Sequence, residues 1–473
     1  MLFRSLKRLD LVSFVADGSI LPRETGVSDR PMKGSVAFHS PDSLRITLNL
    51  PGHGPISGMA IHRGITLIVG GGYHGKSTLL KALESGVYNH IPGDGREYVI
   101  TDETAVKLRA EDGRSINHVD ISLFIRDLPN KKDTTCFSTA DASGSTSQAA
   151  AVIESIEAGT RAFLIDEDTS ATNFMLRDDL MQRIVSRDKE PITPFIERAR
   201  DLYKQAGIST VLVAGSSGAY FFIADTIIQI DAYRPFDITE MVKNACEQEA
   251  SKPAIQAPGL KLPTAGRKLA AGGTGRAVGA MALDFGDSRA EAGGESQEEG
   301  ENSGRSGRFG NRGGSASDAG RFERGRGGRR EADRNSDRNT RIKVRVHDKH
   351  SFQVAKEPVD LRFVEQLADS EQTAALAQMV RYCLEKGLLE RCTVQETVAT
   401  LLKAYEADGL SVFSDASYAA MGLAMPRVQE IYACLNRFRG LLDTQKRAAF
   451  CKPSLYIFAF FTELFANFIL AHP

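Results

Sequence analysis

A glycine-rich stretch lies between an apolar segment and a helix-forming one, and it reads Gly70-Gly71-Gly72-Tyr73-His74-Gly75-Lys76-Ser77. Its glycines, lysine and serine match G-x-x-x-x-G-K-[ST], the pattern of a P-loop when a strand precedes it and a helix follows. Backbone N–H groups of such a loop turn inward and hold phosphate oxygens, and the amino terminus of the helix adds partial positive charge. The stretch therefore predicts a nucleoside triphosphate site rather than a glycine-rich turn with a chance Lys-Ser pair.

The P-loop pattern assigns roles to individual residues. Lys76 is expected to reach the β- and γ-phosphates, and the Ser77 hydroxyl is expected to bind Mg²⁺. ATP and Mg²⁺ are the ligands that this chemistry implies. The residues expected to contact the nucleotide are Gly70, Gly71, Gly72, Tyr73, His74, Gly75, Lys76, Ser77 and Thr78.

A second motif is the apolar run Phe163-Leu164-Ile165, which ends in the two acids Asp166 and Glu167. Alone, it is more typical of an ordinary strand that ends in solvated acids. Downstream of a P-loop, Asp166 is expected to hold Mg²⁺ through water, and Glu167 to orient and activate the attacking water. Glu167 and Lys76 are therefore predicted catalytic residues.

The chain from Met1 to about Arg234 alternates strand-like and helix-like runs, which is typical of an α/β domain. Its strand candidates are largely apolar, and this suits a parallel sheet covered on both faces. The candidates are Ile65 to Gly70, Ala162 to Asp166, Ser209 to Ala214 and Ala224 to Ile230. The predicted fold class is an α/β P-loop NTPase.

A third motif is the polar loop Ser143-Gly144-Ser145-Thr146-Ser147-Gln148, followed by a helix that Gly159 can end. At this point the chain resembles an ABC ATPase, whose signature loop begins Ser-Gly and precedes the Walker B acids by one helix and one strand. The resemblance implies that Ser143, Gly144 and Ser145 contact the γ-phosphate held by a second subunit. It therefore implies a head-to-tail homodimer with two ATP molecules between its subunits. The alternative interpretation is a helix cap after a polar loop.

Two residues typical of ABC ATPases are absent. Aligning Ala224-Asp225 with the strand after the ABC switch histidine places Gly215 where that histidine would lie, next to Ser216. No glutamine occurs between Ser77 and Ser147, so the usual Q-loop residue is missing. Hydrolysis is therefore expected to be slow or to use Ser216 as a catalytic residue.

The P-loop, FVADGSILPR (Phe14 to Arg23) and DASGSTSQA (Asp141 to Ala149) together resemble a divergent family of predicted ABC-class ATPases, some of which are mislabelled as isopentenyl-diphosphate isomerases. The resemblance covers Leu11 to about Asp231 and about Arg341 to Leu441. Family members usually carry a further region before the FVADGSILPR motif, so we expect this chain to lack part of it.

Between about Glu249 and Thr340 the composition shifts to Gly, Ser, Ala, Arg and Glu, which predicts a disordered linker. Its first part is acidic and its second part is rich in arginine, with two Arg-Gly-Gly triplets. Such segments bind single-stranded nucleic acid through phosphate pairing and base stacking, which predicts RNA as a partner. The alternative is a solvated linker whose two charge blocks neutralise each other. The candidate nucleic-acid residues are Arg312, Arg324, Arg326, Arg329 and Arg330.

After the linker, IKVRV (342–346) alternates like a strand, and two amphipathic helices follow. The second helix opens with a capping box from Thr393 to Glu396.

The final stretch, Leu455 to Ala471, is apolar with a central acid, which favours a buried or oligomerising helix over a tail anchor. The predicted domains are an amino-terminal segment (1–58), the ATPase core (59–240), the linker (241–340), a mainly helical domain (341–445) and an apolar tail (446–473).

Composition sets limits but names no partner. At 473 residues the chain is longer than the chains that a single hydrophobic core usually supports, so more than one domain is expected. Its net charge of −1 is close to zero and indicates no class of partner. The six cysteines are scattered without a CxxC pair, which favours reduced thiols inside the cell. Charges interrupt the apolar runs at the amino terminus, so a secretory signal is not expected. The default expectation is a cytoplasmic protein away from membranes, with import into mitochondria or another organelle as the alternative.

These observations favour a Mg²⁺-dependent ATPase of the ABC class that dimerises on ATP and acts on a partner, with RNA as the candidate. One competing hypothesis is an RNA-binding switch that uses bound ATP with negligible hydrolysis, because the switch histidine and Q-loop glutamine are missing. Another is the nucleotide-binding subunit of a transporter, which the basic linker and the added helical domain disfavour.

Overall fold

The structure is a computed structural model, and it describes residues 2–26, 28–50, 54–177, 184–185, 189–249, 257–262, 266–269, 342–414 and 421–439. The five linker arginines predicted to bind nucleic acid and the apolar tail lie outside the described residues.

The amino-terminal half of the chain contains eighteen labelled elements in its described residues. In chain order they are α1 (Leu2–Arg8), β1 (Leu11–Ala16), β2 (Arg45–Leu50), β3 (Gly54–His62), β4 (Ile65–Val69), α2 (Lys76–Ser85), β5 (Val99–Thr101), β6 (Val106–Leu108), β7 (Arg114–Val119), β8 (Phe137–Ala142), α3 (Gly144–Glu157), β9 (Ala162–Asp166), α4 (Thr172–Met175), α5 (Phe195–Ala206), β10 (Ser209–Val213), β11 (Thr226–Asp231), β12 (Arg234–Asp237) and α6 (Thr239–Gln248).

Six strands form the central sheet in the order β12-β11-β4-β10-β9-β6. All neighbours run parallel except the edge pair β11 and β12, which form an antiparallel hairpin. The four apolar runs predicted as buried strands are β4, β9, β10 and β11, and the prediction of an α/β P-loop fold is confirmed. Because parallel strands end at one edge, the residues after β4, β9 and β10 meet there.

The two faces of this sheet belong to two hydrophobic cores. Leu67, Phe163 and Leu212 point into the core beneath α3 and α5. Ile68 and Leu164 point into the other core, which includes Leu79 and Leu83 of α2. This alternation follows from the two-residue period of a strand, and burial on both faces explains the nearly continuous apolar character of these segments.

A second sheet is antiparallel and has the strand order β2-β3-β1-β5. It takes its strands from both sides of the boundary predicted at residue 58, and β3 crosses that boundary. Met59 and Ile61 of β3 share a core with α2. The amino-terminal residues are therefore part of the P-loop domain and not a separate segment.

The carboxyl-terminal portion combines a small sheet with helices. In chain order its elements are β13 (Val344–Asp348), β14 (Ser351–Val354), β15 (Glu357–Asp360), α7 (Ser370–Glu385), α8 (Leu388–Arg391), α9 (Val394–Asp408) and α10 (Val428–Arg437). The capping box predicted at Thr393 and Glu396 is present. The sequence pattern did not predict β14 and β15. The turn between them, Ala355-Lys356, has positive φ angles of 50° and 70° but lacks the Asn or Gly that usually indicates such a turn.

Ordered structure also continues into the predicted linker. Helix α6 runs past residue 240, and Arg267 pairs with Glu157 at the end of α3 with Nη2 2.6 Å from Oε2. The backbone carbonyl of Arg267 accepts a hydrogen bond from Val394. The composition shift at residue 249 therefore does not mark the end of folded chain. Among the residues that the structure describes, no helix is both long and apolar enough to cross a bilayer.

Candidate nucleotide-binding site

The P-loop connects β4 to α2, and its backbone conformation requires specific glycines. Gly70 has a φ of 141°, and a Cβ there would lie 2.2 Å from the carbonyl oxygen of Ile230. Gly75 has a φ of 104° and directly precedes α2. These angles are strained for any residue with a side chain. The glycines therefore allow the loop to fold back tightly against β11 and to leave the first N–H groups of α2 unblocked.

The Lys76 side chain folds back over this loop. Its Nζ donates to the carbonyl oxygens of Gly70 at 2.6 Å and Gly71 at 2.9 Å. The Lys76 ammonium group is thus held against the backbone of the loop, the part that binds phosphate oxygens in P-loop proteins. The contact of Lys76 with the nucleotide phosphates stays a prediction.

Two oxygen atoms from different elements converge beside Lys76. The Ser77 Oγ, in the first turn of α2, lies 3.5 Å from Oδ2 of Asp166, the last residue of β9. Asp166 is largely buried, and its Oδ1 accepts a long hydrogen bond from the backbone of Asp168. A hydroxyl and a carboxylate oxygen are the hard donors that Mg²⁺ prefers, so these two residues fit a magnesium site.

Glu167 follows Asp166 and is held by the turn after β10. Its Oε2 accepts from the N–H groups of Gly215 at 2.7 Å and Ser216 at 3.1 Å, and its Oε1 accepts from Ser216 Oγ at 2.7 Å. Burial raises the pKa of this carboxyl, but these hydrogen bonds outweigh burial and the net pKa is lowered. Glu167 is therefore an ionised carboxylate whose lone pairs are largely occupied in this conformation.

The Gly215-Ser216 turn occupies the position where the sequence alignment placed the missing switch histidine. The structure brings Ser216 into direct contact with the second acid of the β9 motif. A serine hydroxyl can donate to this carboxylate, as an imidazole N–H can, but it cannot carry positive charge. Ser216 is thus positioned to orient Glu167.

The signature-like loop begins α3, with Ser143 immediately before the helix. Its hydroxyl lies 2.9 Å from that of Thr146. Within the described part of the chain, no hydrogen bond or ion pair joins Ser143, Gly144 or Ser145 to Lys76, Ser77 or Asp166.

Gln148, the last residue of the polar motif that begins at Ser143, connects two parts of the site. Its side-chain carbonyl accepts from the Ala171 N–H at 2.8 Å, and its amide donates to Ser170 Oγ at 3.0 Å. Gln148 is fully buried in α3. It therefore ties the signature helix to the segment that follows Asp166 and Glu167.

The β11–β12 hairpin also contacts the P-loop, and no sequence signal indicated this. His74 Nδ1 lies 2.7 Å from Oδ1 of Asp231 and 3.1 Å from the backbone nitrogen of Ala232. The Tyr233 N–H donates to the His74 carbonyl at 3.0 Å. The His74 side chain thus contacts the hairpin, and Tyr73 next to it is fully exposed.

A P-loop between β4 and α2, acids at the end of β9 and a Ser-Gly loop before α3 define an ATPase domain of the ABC class. The chain belongs to the ABC ATPase P-loop domain family, whose model matches residues 1–261. A second family model, the MRB1590 C-terminal domain, matches residues 343–442. The family resemblance drawn from the sequence motifs is confirmed.

Individual proteins match smaller parts of the chain. An uncharacterised protein of Methanocaldococcus jannaschii is 31% identical over 221 residues, which are 45% of this chain and 48% of the relative. The chain thus spans about half the length of that relative. The solved structure of cbiO1 from Clostridium perfringens, part of the ABC transporter complex cbiONQ, matches at 13% identity with a TM-score of 0.31, over 50% of this chain and 92% of that one. The ADP conformation of an ATP-binding cassette of an ABC transporter matches at 12% identity with a TM-score of 0.28, over 43% and 95%.

Proposed function

We propose that the protein binds ATP with Mg²⁺, hydrolyses it as a homodimer and couples this cycle to RNA. The observation that carries the proposal is the convergence of four side chains at one edge of the central sheet. Lys76 and Ser77 come from the P-loop and α2, and Asp166 and Glu167 come from the end of β9. A phosphate-binding cation, two hard oxygen donors and a carboxylate base are the groups that phosphoryl transfer to water requires.

The residues present suit each part of this chemistry. Ser77 and Asp166 would hold Mg²⁺, which when bound neutralises charge on the phosphates as the β–γ bond breaks. Lys76 supplies a second positive charge to the same oxygens. Glu167 accepts the proton of the attacking water, while the water oxygen bonds to the γ-phosphorus and ADP leaves.

The proposed dimer rests on the signature-like loop. Ser143 is exposed, and Gly144 and Ser145 are half-buried at the amino terminus of a fourteen-residue helix. This end of α3 carries partial positive charge and makes no polar contact with the P-loop of its own chain among the described residues. A second subunit placed head to tail would bring its γ-phosphate to this loop. Two such contacts would close two nucleotide sites.

The proposed RNA partner rests on composition. The candidate arginines, from Arg312 to Arg330, lie in a segment where Arg and Gly recur with two interspersed phenylalanines, Phe309 and Phe322. Guanidinium groups pair with phosphates and stack on bases. ATP-driven closure of the dimer would then change how two such segments are presented to RNA.

A second candidate function is an RNA-binding switch that holds ATP with negligible turnover. The specific observation that favours it is the Glu167 carboxylate, which already accepts three hydrogen bonds from the Gly215-Ser216 turn. A base whose lone pairs are occupied activates water poorly unless the turn moves. Bound ATP would then serve only to hold the dimer together.

The deciding experiment measures Mg²⁺-dependent ATP hydrolysis by the full chain and by Glu167→Gln, each with and without single-stranded RNA. Glu240→Gln is the matched control, because Glu240 is an exposed glutamate on α6. Turnover that requires Glu167, tolerates the Glu240 change and responds to RNA supports the ATPase. ATP binding and dimer formation without turnover above the Glu167→Gln background would establish the switch instead.

The RNA part is tested separately by changing all five candidate arginines to serine. We expect weaker RNA binding and loss of RNA-dependent turnover, with basal hydrolysis unchanged. Unchanged RNA binding would remove the linker from the proposal and leave the ATPase in place.

A further inference from the structure

Tyr220 is the first buried residue after the turn that holds Glu167. A short 3-10 helix, Ala219–Phe222, follows the Gly215-Ser216 turn, and Tyr220 belongs to it. Gly215 and Ser216 are exposed, whereas Tyr220 is only 1% exposed. The position of the exposed turn therefore depends on where the Tyr220 side chain is held.

The Tyr220 hydroxyl reaches the segment of chain that begins with Glu167. It donates to the carbonyl oxygen of Met175, the last residue of α4, at 2.7 Å. A phenylalanine would fill nearly the same space, so the hydroxyl contributes this hydrogen bond and not volume. The hydrogen bond thus joins the chain that follows the turn to the chain that follows Glu167.

Met175 is a well-fixed partner for this hydroxyl. It is 1% exposed, and Phe174 beside it is fully buried. The Phe174 ring packs on that of Phe124 with 5.0 Å between the ring centroids, and the side-chain amide of Gln148 lies 3.6 Å from the Met175 sulfur. Because close packing leaves buried side chains little room to shift, α4 holds the Tyr220 hydroxyl in a defined place.

Two contacts therefore join the same two segments. At one end, Gly215 and Ser216 donate three hydrogen bonds to the Glu167 carboxylate. At the other end, Tyr220 donates to Met175. A single contact lets two segments pivot about it, whereas two contacts fix their relative position. Loss of the second contact would therefore let the turn shift with respect to the carboxylate.

The position of the turn matters for the chemistry of Glu167. A carboxylate offers about four acceptor positions, so the three hydrogen bonds from the turn largely decide from which side a water can bind. A reacting group that is misplaced by about 1 Å can lose about a hundredfold in rate. A residue that fixes the turn thus influences the reaction from a distance.

We propose that Tyr220 is a positioning residue for hydrolysis: its hydrogen bond to Met175 fixes the Gly215-Ser216 turn where that turn orients Glu167 towards the attacking water. This inference rests on the proposed hydrolysis of ATP and adds to it a residue that acts through the turn. Tyr220 contributes to the rate of the chemical step, whereas Lys76 and Ser77 contribute to nucleotide binding.

The first test measures kcat and KM for ATP with Mg²⁺ in the full chain and in Tyr220→Phe. We expect kcat to fall about tenfold or more, because a displaced base loses its alignment with water, and KM to stay within about twofold. Rates are expressed per ATP-binding site counted by calorimetry, so that an unfolded fraction does not lower kcat. Tyr203→Phe is the matched control, because it removes one hydroxyl from a partly buried tyrosine of α5, and it should change nothing.

A second measurement follows the turn without hydrolysis. Hydrogen exchange of peptides that contain residues 214–218, read by mass spectrometry, should be about tenfold faster in Tyr220→Phe. The N–H groups of Gly215 and Ser216 are protected by Glu167, and they lose this fixed acceptor when the turn shifts. Helix α2 should exchange as in the unchanged chain.

Combination with Ser216→Ala tests whether Tyr220 acts through the turn. Both changes weaken the same contact with Glu167, so kcat of the double variant should fall by less than the product of the two separate losses. A loss equal to that product would mean that the two residues act independently, and it would overturn the inference.

The remaining outcomes are distinguishable. Unchanged kcat and unchanged exchange at the turn in Tyr220→Phe overturn the inference. Fewer ATP-binding sites with an unchanged rate per site would mean that Tyr220 supports only the core, and a rise in KM equal to the fall in kcat would mean that it supports the nucleotide site as a whole. Faster exchange at the turn, with no protein hydrolysing ATP above the Glu167→Gln background, overturns the proposed ATPase itself and leaves Tyr220 as the attachment of the turn.

Discussion

Arg437 and Glu111 form a buried ion pair that connects helix α10 to the signature-like loop. The Arg437 Nε lies 3.2 Å from Glu111 Oε2, and the two side chains are only 10% and 5% exposed. The Glu111 N–H donates to Ser147 Oγ at 2.9 Å, and that hydroxyl donates to the Gly144 carbonyl at 2.9 Å. Helix α10 is thus joined to the first turn of α3 by consecutive hydrogen bonds.

Removal of Arg437 should destabilise the protein and disturb the signature-like loop. We expect Arg437→Gln to lower the free energy of unfolding by about 3–5 kcal/mol, because it removes the ion-pair partner of the buried Glu111 carboxylate. In chemical denaturation, Arg439→Gln is the matched control, since Arg439 is exposed and donates to the Gly113 carbonyl. If the loop depends on this pair, kcat for ATP should fall in Arg437→Gln more than ATP affinity does. Equal stability of the two variants would contradict the importance of the pair.

Lys76 should contribute to nucleotide affinity through its charge. Lys76→Ala should weaken ATP binding about tenfold or more, because a charge-assisted hydrogen bond contributes roughly 1.5–3 kcal/mol. Calorimetry against ATP would measure the change. Lys81→Ala is the control, because Lys81 lies on the same helix with an exposed side chain. A similar loss in both variants would point to general electrostatic attraction and not to a phosphate site.

Ser216 should control the pH dependence of hydrolysis. Its hydroxyl is one of the donors that lower the pKa of Glu167, so Ser216→Ala should raise that pKa. Because a base must be ionised to accept a proton, the acid limb of the kcat/KM profile should move to higher pH. Ser217→Ala is the control, since the Ser217 hydroxyl accepts from the Ala219 N–H and is not a donor to Glu167. An unmoved acid limb would show that Glu167 is not the titrating base.

Asp102 should stabilise the P-loop domain above acidic pH. Its Oδ2 lies 2.8 Å from Arg63 and 3.0 Å from Arg161, and Thr104 donates to its Oδ1. Burial raises the pKa of Asp102, but Arg161, Thr104 and Arg63 outweigh burial, and the net pKa is lowered. We expect Asp102→Asn to reduce the free energy of unfolding by about 3–5 kcal/mol at neutral pH.

The pH dependence of this loss follows from the direction of the pKa shift. A carboxylate with a lowered folded pKa contributes fully above its unfolded pKa, about 3.9, and the contribution disappears as pH falls through the folded value. The free energies of unfolding of the unchanged chain and of Asp102→Asn should therefore approach each other as the pH falls below about 4. Asp360→Asn is the control, because the Asp360–Arg362 pair is largely exposed and solvent screening leaves it little effect on stability. A pH-independent difference for Asp102→Asn would contradict this account.

Local pattern was enough to predict the central strands and the P-loop. The run from Ile65 to Val69 is apolar except for Thr66, because both faces of β4 are buried. The loop after it was recognisable because only glycine tolerates the backbone at Gly70 and Gly75, and because a lysine and a serine must follow. The acids Asp166 and Glu167 were predictable for the same reason, since they end a buried strand downstream of a P-loop.

Other parts of the site have no local signal. The turn between β11 and β12, Ala232-Tyr233, contains neither Gly nor Asn. Sequence patterns therefore do not indicate a hairpin that contacts the P-loop. Gln148 appears as one polar residue of a helix, and only packing shows that it binds Ala171. Likewise, Arg437 and Glu111 are distant in sequence, and nothing in either neighbourhood predicts their pairing.

The sequence by itself determined the family, the phosphate-binding loop and the two acids, because these depend on residue types at fixed short spacings. The tertiary structure decided which long-range partners they have. It placed the Gly215-Ser216 turn on Glu167, the β11–β12 hairpin on His74 and helix α10 on the residues behind the signature-like loop. These contacts depend on how strands are ordered in the sheet and on which helices pack together, and no short window of sequence contains that information.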